Sequence, residues 1–429
     1  LAGLFFTATL CAQSPDEAFR LYSEGRFAEA IPLFEQALQS TRKEIVKRHI
    51  EIYPILCEYY YRQYQFQKSA DAYSKYADLL KTSNQIQKAD SVQHLTDKAK
   101  RAARMLSRCE DIQLIDSVII DKKQFLDTYI LSDESGWLYQ GDETIIYENP
   151  LRDKRFFAEK QANGCYQLFS EIRLQDEWTD KKSIVLPNDT LSDNNFPFVL
   201  ADGLTLYFAS TDNTTSIGGY DLYITRYNLN NDTWLAPNQL GMPFNSIYND
   251  YLLAIDETNR IGYFATDRFQ AGDKVIVYTF IPNEEQTFID TDNETERIHR
   301  AEIQSIKNTW KPDRDYAAML EQIRQSIRND QSRPQHDFTF VIDDHRIYHS
   351  LIDFKKDAAR QAFRKSQEIK KDIQLTENEL SDLRLEYYKS NSAKKQNLKT
   401  RILSNEEKLQ TLYRQFALFE KNARNFEIK

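Results

Sequence analysis

The chain has 429 residues, more than a single hydrophobic core usually organises, so two or three domains are expected. Hydrophobic residues make up 41% and charged residues 28%, the balance of a water-soluble globular protein. The net charge of −9 argues against a general nucleic-acid role, and 25 Tyr with 25 Phe favour strands and contact surfaces.

Residues 1–12, Leu-Ala-Gly-Leu-Phe-Phe-Thr-Ala-Thr-Leu-Cys-Ala, are apolar or small, and Gln13-Ser14-Pro15 breaks the run. This reads as the late part of a secretory signal peptide, cleaved after Ala12. Lipidation at Cys11 is the alternative; Leu10 before it suits that poorly. Cys57, Cys109 and Cys165 then remain, an odd and widely spaced set with neither a disulfide framework nor a metal-binding pair.

Residues 13–110 read as helical. In 21–38, Phe27, Ala30, Phe34 and Ala37 share a helix face on which large and small residues alternate. Tyr53, Leu56, Cys57, Tyr60, Phe66, Ser69, Tyr73 and Tyr76 repeat that spacing about 39 residues on. The pattern resembles the tetratricopeptide repeat, with Tyr53 in the Trp slot, Leu56-Cys57 in the Leu-Gly slot and Tyr60 in the Tyr slot. Ser69 and Tyr76 depart from the usual Ala, Glu17 from the usual Leu, and 39 residues from the usual 34. The resemblance implies a partner-binding groove, onto which this register places Tyr22, Glu58 and Tyr61. Exposed helix residues without such a role are the plainer reading.

Residues 111–290 switch to period two. Phe157-Ala158, Phe208-Ala209 and Phe264-Ala265 end three similar strand–turn–strand units, 51 and 56 residues apart. Each is followed by a further strand, as in Gly218-Gly219-Tyr-Asp-Leu-Tyr223, and the first two add another carrying Trp178 or Trp234. Such a period is the mark of β-propeller blades. The wording from Ala201 to Tyr227 resembles the WD40-like PD40 repeats of bacterial envelope proteins. Gly218-Gly219 is expected to supply a turn with φ > 0. The loop beginning Thr211, Asp212, Asn213 is the longest of its kind and is the candidate contact of this hairpin. Three units do not close a ring of four blades; residues 112–122 and 336–352 are candidates for more, the latter after a helical insertion at 291–335. A separate hairpin on the helices is the other reading of 336–352.

Residues 353–429 read as two antiparallel coiled-coil helices, with Ile373, Leu380, Leu383 and Tyr387 on one face and Leu398, Ile402, Leu409, Leu412 and Phe416 on the other. From residue 352 on, 18 Lys and Arg face 12 Asp and Glu, so this segment is basic against an acidic remainder.

No phosphate-binding loop, nucleophile elbow or zinc-hydrolase motif is present. His345 and His349 beside Asp343-Asp344 are a weak metal pattern that lacks further ligands, so no catalytic residue, cofactor or metal is expected. The fold class expected is α+β multidomain: tetratricopeptide-like α-hairpins, a propeller-like all-β domain and a C-terminal helical hairpin. The order of modules resembles Bacteroidota envelope proteins that combine tetratricopeptide and PD40 repeats, here without their OmpA-like domain. That resemblance implies an exported, periplasmic or outer-membrane-associated scaffold. It would bind other envelope proteins through the helical groove and the coiled coil, reach the membrane only through a partner and not bind nucleic acid. A propeller that binds or hydrolyses a glycan, peptide or small ligand is the alternative.

Overall fold

The computed structural model describes residues 15–428 except 142–143, 175–176, 188–192, 213–214, 313, 317, 320, 322–339, 344–345, 349–350, 352 and 391. The leader at 1–12, the possible lipidation site Cys11, His345 and His349 lie outside the described residues. The chain forms two units divided between residues 323 and 324, each described by itself below.

The first unit begins with six helices: α1 Pro15–Ser23, α2 Phe27–Leu38, the single turn α3 Lys43–Val46, α4 His49–Arg62, α5 Phe66–Thr82 and α6 Ile86–Ser107. The expected faces pack inward. Ala30, Phe34 and Ala37 of α2 and Leu56, Cys57, Tyr60, Tyr73 and Tyr76 of α4 and α5 share one core. Ser69 is tolerated there because its buried hydroxyl donates to the Cys57 carbonyl at 2.8 Å. Phe27 departs from the pattern. It opens α2, stays 44% exposed and meets the Tyr22 ring edge-on.

Three helix ends share one turn. Gly25, Tyr64 and Asn84 all take the left-handed conformation, with φ of 77, 56 and 58°. The next amide reaches back five residues each time, Arg26 to Leu21, Gln65 to Tyr60 and Gln85 to Leu80, at 2.9 Å. These are helix C-caps, which glycine and asparagine enter cheaply and tyrosine does not. Tyr64 is kept at that cost because its ring is buried against the β region, as set out below.

Three antiparallel sheets follow. The first runs β2 Trp137–Gln140, β3 Ile145–Glu148, β4 Lys154–Lys160, β5 Tyr166–Leu174 and β6 Glu177–Ser183 in chain order. The second pairs β7 Asp193–Val199, β8 Thr205–Thr211, β9 Asp221–Asn228 and β10 Thr233–Trp234, with β11 Asn238–Gln239 also on β9. The third orders β12 Asp250–Asp256, β13 Ile261–Thr266 and β14 Lys274–Ile281, and its outer strand is β1, Gln113–Asp121. Residues 112–122 therefore complete the third sheet; they start no further unit.

The sequence repeat is a structural one. Phe157 pairs with Phe169, Phe208 with Tyr223 and Phe264 with Tyr278 across neighbouring strands. All three ring pairs are stacked, at 6.1, 5.7 and 5.1 Å. Each following alanine, at 158, 209 and 265, is fully buried. Such cross-strand aromatic pairs contribute about 0.2–1 kcal/mol each and fix the register. Tyr147, Phe156, Phe198, Phe208, Tyr251 and Tyr263, from all three sheets, meet in one apolar core. Helix α7, Glu294–Glu302, is N-capped by the Asn293 side chain, which accepts from the Thr295 and Glu296 amides.

The second unit holds β15 Phe340–Asp343, β16 Arg346–Tyr348 and two long helices, α8 Asp357–Lys389 and α9 Ser392–Ile428. Among the described residues β15 and β16 pair only with each other. Phe340, Ile342 and Tyr348 pack on Phe354, Ala359, Phe363 and Ala423. This corrects the expectation that 336–352 return to the β region: the helices next in sequence claim the apolar face of that hairpin. Ala359, Phe363, Ser366, Ile369, Ile373, Thr376, Leu380 and Leu383 form a buried stripe of three- and four-residue steps along α8, as the heptad reading required.

Candidate functional site

Within the first unit the helices and the sheets meet along a seam. Tyr64, Phe66, Ala102, Leu106 and Cys109 from the helical side are buried together with Ile217, Met242 and Ala301 from the β side. Polar contacts cross the same seam. The Tyr61 hydroxyl donates to the Ile217 carbonyl at 2.6 Å, and the Lys98 ammonium lies 3.5 Å from the Gly218 carbonyl. Burial raises the Tyr61 phenol well above its ordinary range and lowers the Lys98 ammonium.

Gly218 and Gly219 serve this seam differently from the expectation. Neither has positive φ. A Cβ on Gly218 would sit 2.0 Å from the Tyr248 carbonyl oxygen and 2.6 Å from that of Ser246. One on Gly219 would sit 2.0 Å from Asn249 Oδ1. The pair is glycine because two chain segments touch there, with the Gly219 amide donating to the Tyr248 carbonyl at 3.1 Å.

Beside the seam opens a cleft of about 690 Å³, lined on the helical side by Glu58, Tyr61, Arg62 and Lys98 and on the β side by Tyr248, Phe269 and Glu302. Arg62 donates to Glu58 at 2.7 Å, so those charges satisfy one another. Glu302 accepts from Gln304 at 2.7 Å, and burial raises its carboxyl above the ordinary range. Tyr248 and Phe269 lean together at 5.4 Å, and Phe269 is 54% exposed with φ of 59°. A bulky residue in the left-handed region with its ring in solvent is held there by its surroundings.

A turn bond spans Phe269, the Gln270 amide to the Asp267 carbonyl at 3.0 Å, and its neighbour Arg268 is fully buried. One nitrogen, Nη2, donates to the Pro243 carbonyl at 2.8 Å, the Phe244 carbonyl at 3.3 Å and Asp250 Oδ1 at 3.0 Å. Nη1 reaches the Ala301 carbonyl at 3.5 Å. Asp250 is also fully buried, and burial raises its carboxyl although Arg268 opposes the rise.

The residues expected to bind partners fall in different places. Tyr22 is half-buried against Phe27 and Phe34 inside the first helical hairpin. Glu58 lies in the seam cleft, and Tyr61 is engaged inside the chain. Thr211 ends β8 opposite Asp193. Asp212 is buried, donates its amide to Ser216 Oγ at 2.9 Å and accepts from Thr215 at 2.7 Å. Asn213 lies outside the described residues. A second cleft, about 570 Å³, opens among α2, α4 and α5 and is lined by Glu35, Tyr53, Tyr60, Lys68, Asp71 and Lys75. Sequence reasoning missed Lys98, Tyr248, Phe269 and Glu302, because no local pattern brings them together. The run Thr266-Asp267-Arg268-Phe269, after the third Phe-Ala strand, was the one local signal.

Among the described residues no helix is long and apolar enough to cross a membrane. Comparison with known proteins finds no matching family model, no matching curated protein and no matching solved structure.

Proposed function

We propose that this chain is a non-enzymatic, exported scaffold of the bacterial cell envelope, which holds partner proteins through its N-terminal helices and its C-terminal coiled coil. The observation that carries the reading is the division of labour within the helices. Tyr61, Tyr64 and Lys98 are engaged with the β region, whereas the cleft among α2, α4 and α5 stays open. The shared turn at Gly25, Tyr64 and Asn84 supports a tetratricopeptide-like repeat, an architecture whose business is partner binding. The stacked pair repeated in three sheets, and the closing of the third sheet by β1, support a PD40-like propeller as the platform. Export rests on the opening apolar run alone.

The test is affinity purification of the tagged chain from envelopes of its native host, beside a variant with Lys68→Glu and Lys75→Glu in the open cleft. A defined set of proteins recovered with the native chain and lost with the variant supports the reading. Recovery of free monomer from both overturns it.

A further inference from the structure

The seam cleft carries two opposite charges, Lys98 and Glu302, that form no close ion pair among the described residues. Lys98 makes one long contact, 3.5 Å to the Gly218 carbonyl, with the Tyr61 ring 5.7 Å from its ammonium. Glu302 accepts a hydrogen bond from Gln304. Among the described residues neither forms an ion pair, unlike Glu58 and Arg62 in the same cleft. Both side chains are half-buried, and the charges that offset them, Asp221 and Glu58 for Lys98 and His299 and Arg268 for Glu302, act from beyond ion-pair distance. Lys98 stands on α6 and Glu302 at the end of α7, with the Tyr248 and Phe269 rings also on the lining. A volume of about 690 Å³ suits a small ligand, and clefts between modules are where such ligands commonly bind.

We propose that the seam cleft binds a short peptide with both ends free, its carboxylate at Lys98, its ammonium at Glu302 and an apolar side chain on Tyr248 and Phe269. One ligand then supplies each group with a directly bonded counter-ion in place of a distant one. Net neutrality of the ligand matches a lining in which Arg62 and Lys98 balance Glu58 and Glu302. The aromatic pair supplies the apolar contact that favours a side chain over bare backbone. This site is separate from the open helical cleft that carries the scaffold reading, so either can fail without the other.

The test is equilibrium dialysis of the full chain against three tripeptide pools of mixed sequence: free, N-acetylated and C-amidated. Retained peptides are quantified by mass spectrometry. The free pool should be retained at least about tenfold better than either blocked pool, the scale of one charge-assisted contact. Lys98→Met should abolish discrimination against the amide and keep discrimination against the acetyl group. Glu302→Gln should do the reverse, and Phe269→Ala should weaken retention of all three pools. Equal retention of free and blocked pools overturns the proposal, as does absence of retention, or loss of both preferences in each single variant. Retention of acetylated peptides alone would mean a C-terminal tail reads Lys98 without Glu302, and would also overturn it. Thermal melts of each variant guard against loss of fold.

Discussion

Replacing Arg268 by Met should destabilise the first unit by about 3–5 kcal/mol, the usual cost of breaking a fully buried ion pair from one side. The structure says where that cost arises. Met keeps much of the volume but removes the charge that faces Asp250 at 3.0 Å. It also strips a donor from the Pro243 and Phe244 carbonyls, each about 1–3 kcal/mol if left unsatisfied. Asp250 still accepts from the Ser246 amide at 2.7 Å, so its charge is not wholly abandoned. The sign with pH follows. Burial already raises the Asp250 carboxyl, and without Arg268 it should rise further. A carboxyl raised in the folded state contributes stability at low pH that is lost as pH climbs through its folded value. The deficit of the Met variant should therefore shrink on acidification. Urea unfolding followed by hydrogen exchange at residues 243–250 is the suitable assay, because a chain of two units can unfold in steps. The double variant Arg268→Met with Asp250→Asn should recover about 1–3 kcal/mol of the loss. A single variant within about 1 kcal/mol of the native chain, or no recovery in the double, would refute the reasoning.

Three further outcomes follow from particular contacts. Gly218→Ala should cost about 2 kcal/mol or more, since the new Cβ meets two backbone carbonyls within 2.6 Å, whereas Gly241→Ala, whose nearest neighbour is 3.9 Å away, should be close to neutral in the same thermal melts. Burial and the charge of Asp250 push the fully buried Asp221 carboxyl up to about 8, so stability should fall from about pH 4 to about pH 8, and Asp221→Asn should flatten that slope in melts across the range. Glu427 at the end of α9 accepts from the Tyr348 hydroxyl at 2.9 Å and the Lys355 and Lys356 amides at 2.8 and 3.3 Å, tying down the segment that leads into α8. Glu427→Ala should cost the arm about 1–2 kcal/mol, read as faster hydrogen exchange at those amides.

Local periodicity made much of the architecture legible. The large/small alternation around Leu56, Cys57 and Tyr60 specified a buried helix face, and the Phe-Ala pairs specified strand register, because both depend on neighbours along one element. What stayed hidden was non-local. β1 reads like the start of a new unit, and only its pairing with β14, more than 150 residues later, makes it the outer strand of the third sheet. The hairpin at 340–348 has the pattern of a sheet strand pair, but which apolar surface covers it depends on Phe354 and Phe363. Gly218-Gly219 looked like a turn because a sequence does not record how closely another segment passes.

The cleft itself follows from a device used twice. Asp221 opens β9 and accepts the amide of Ile217, four residues back, at 2.7 Å. Asp250 opens β12 and accepts the amide of Ser246, also four residues back, at 2.7 Å. Each carboxylate ties down the loop that precedes its strand. Those loops carry Ile217 on one side and Ile247 and Tyr248 on the other, all of them cleft-lining residues. The two aspartates differ in their counter-groups. Asp250 has the Arg268 guanidinium, whereas Asp221 has a Gln239 amide at 2.5 Å. The hydrogen-bonded partner of Asp221 is neutral, and the Lys98 ammonium, in contact with the Gly218 carbonyl, attracts that carboxyl only from a distance. Both β-side loops are thus fixed before any ligand arrives, at an energetic cost borne by buried carboxylates. A wall ordered in advance spares a ligand the entropy of ordering it, which is the physical reason to expect binding at this seam.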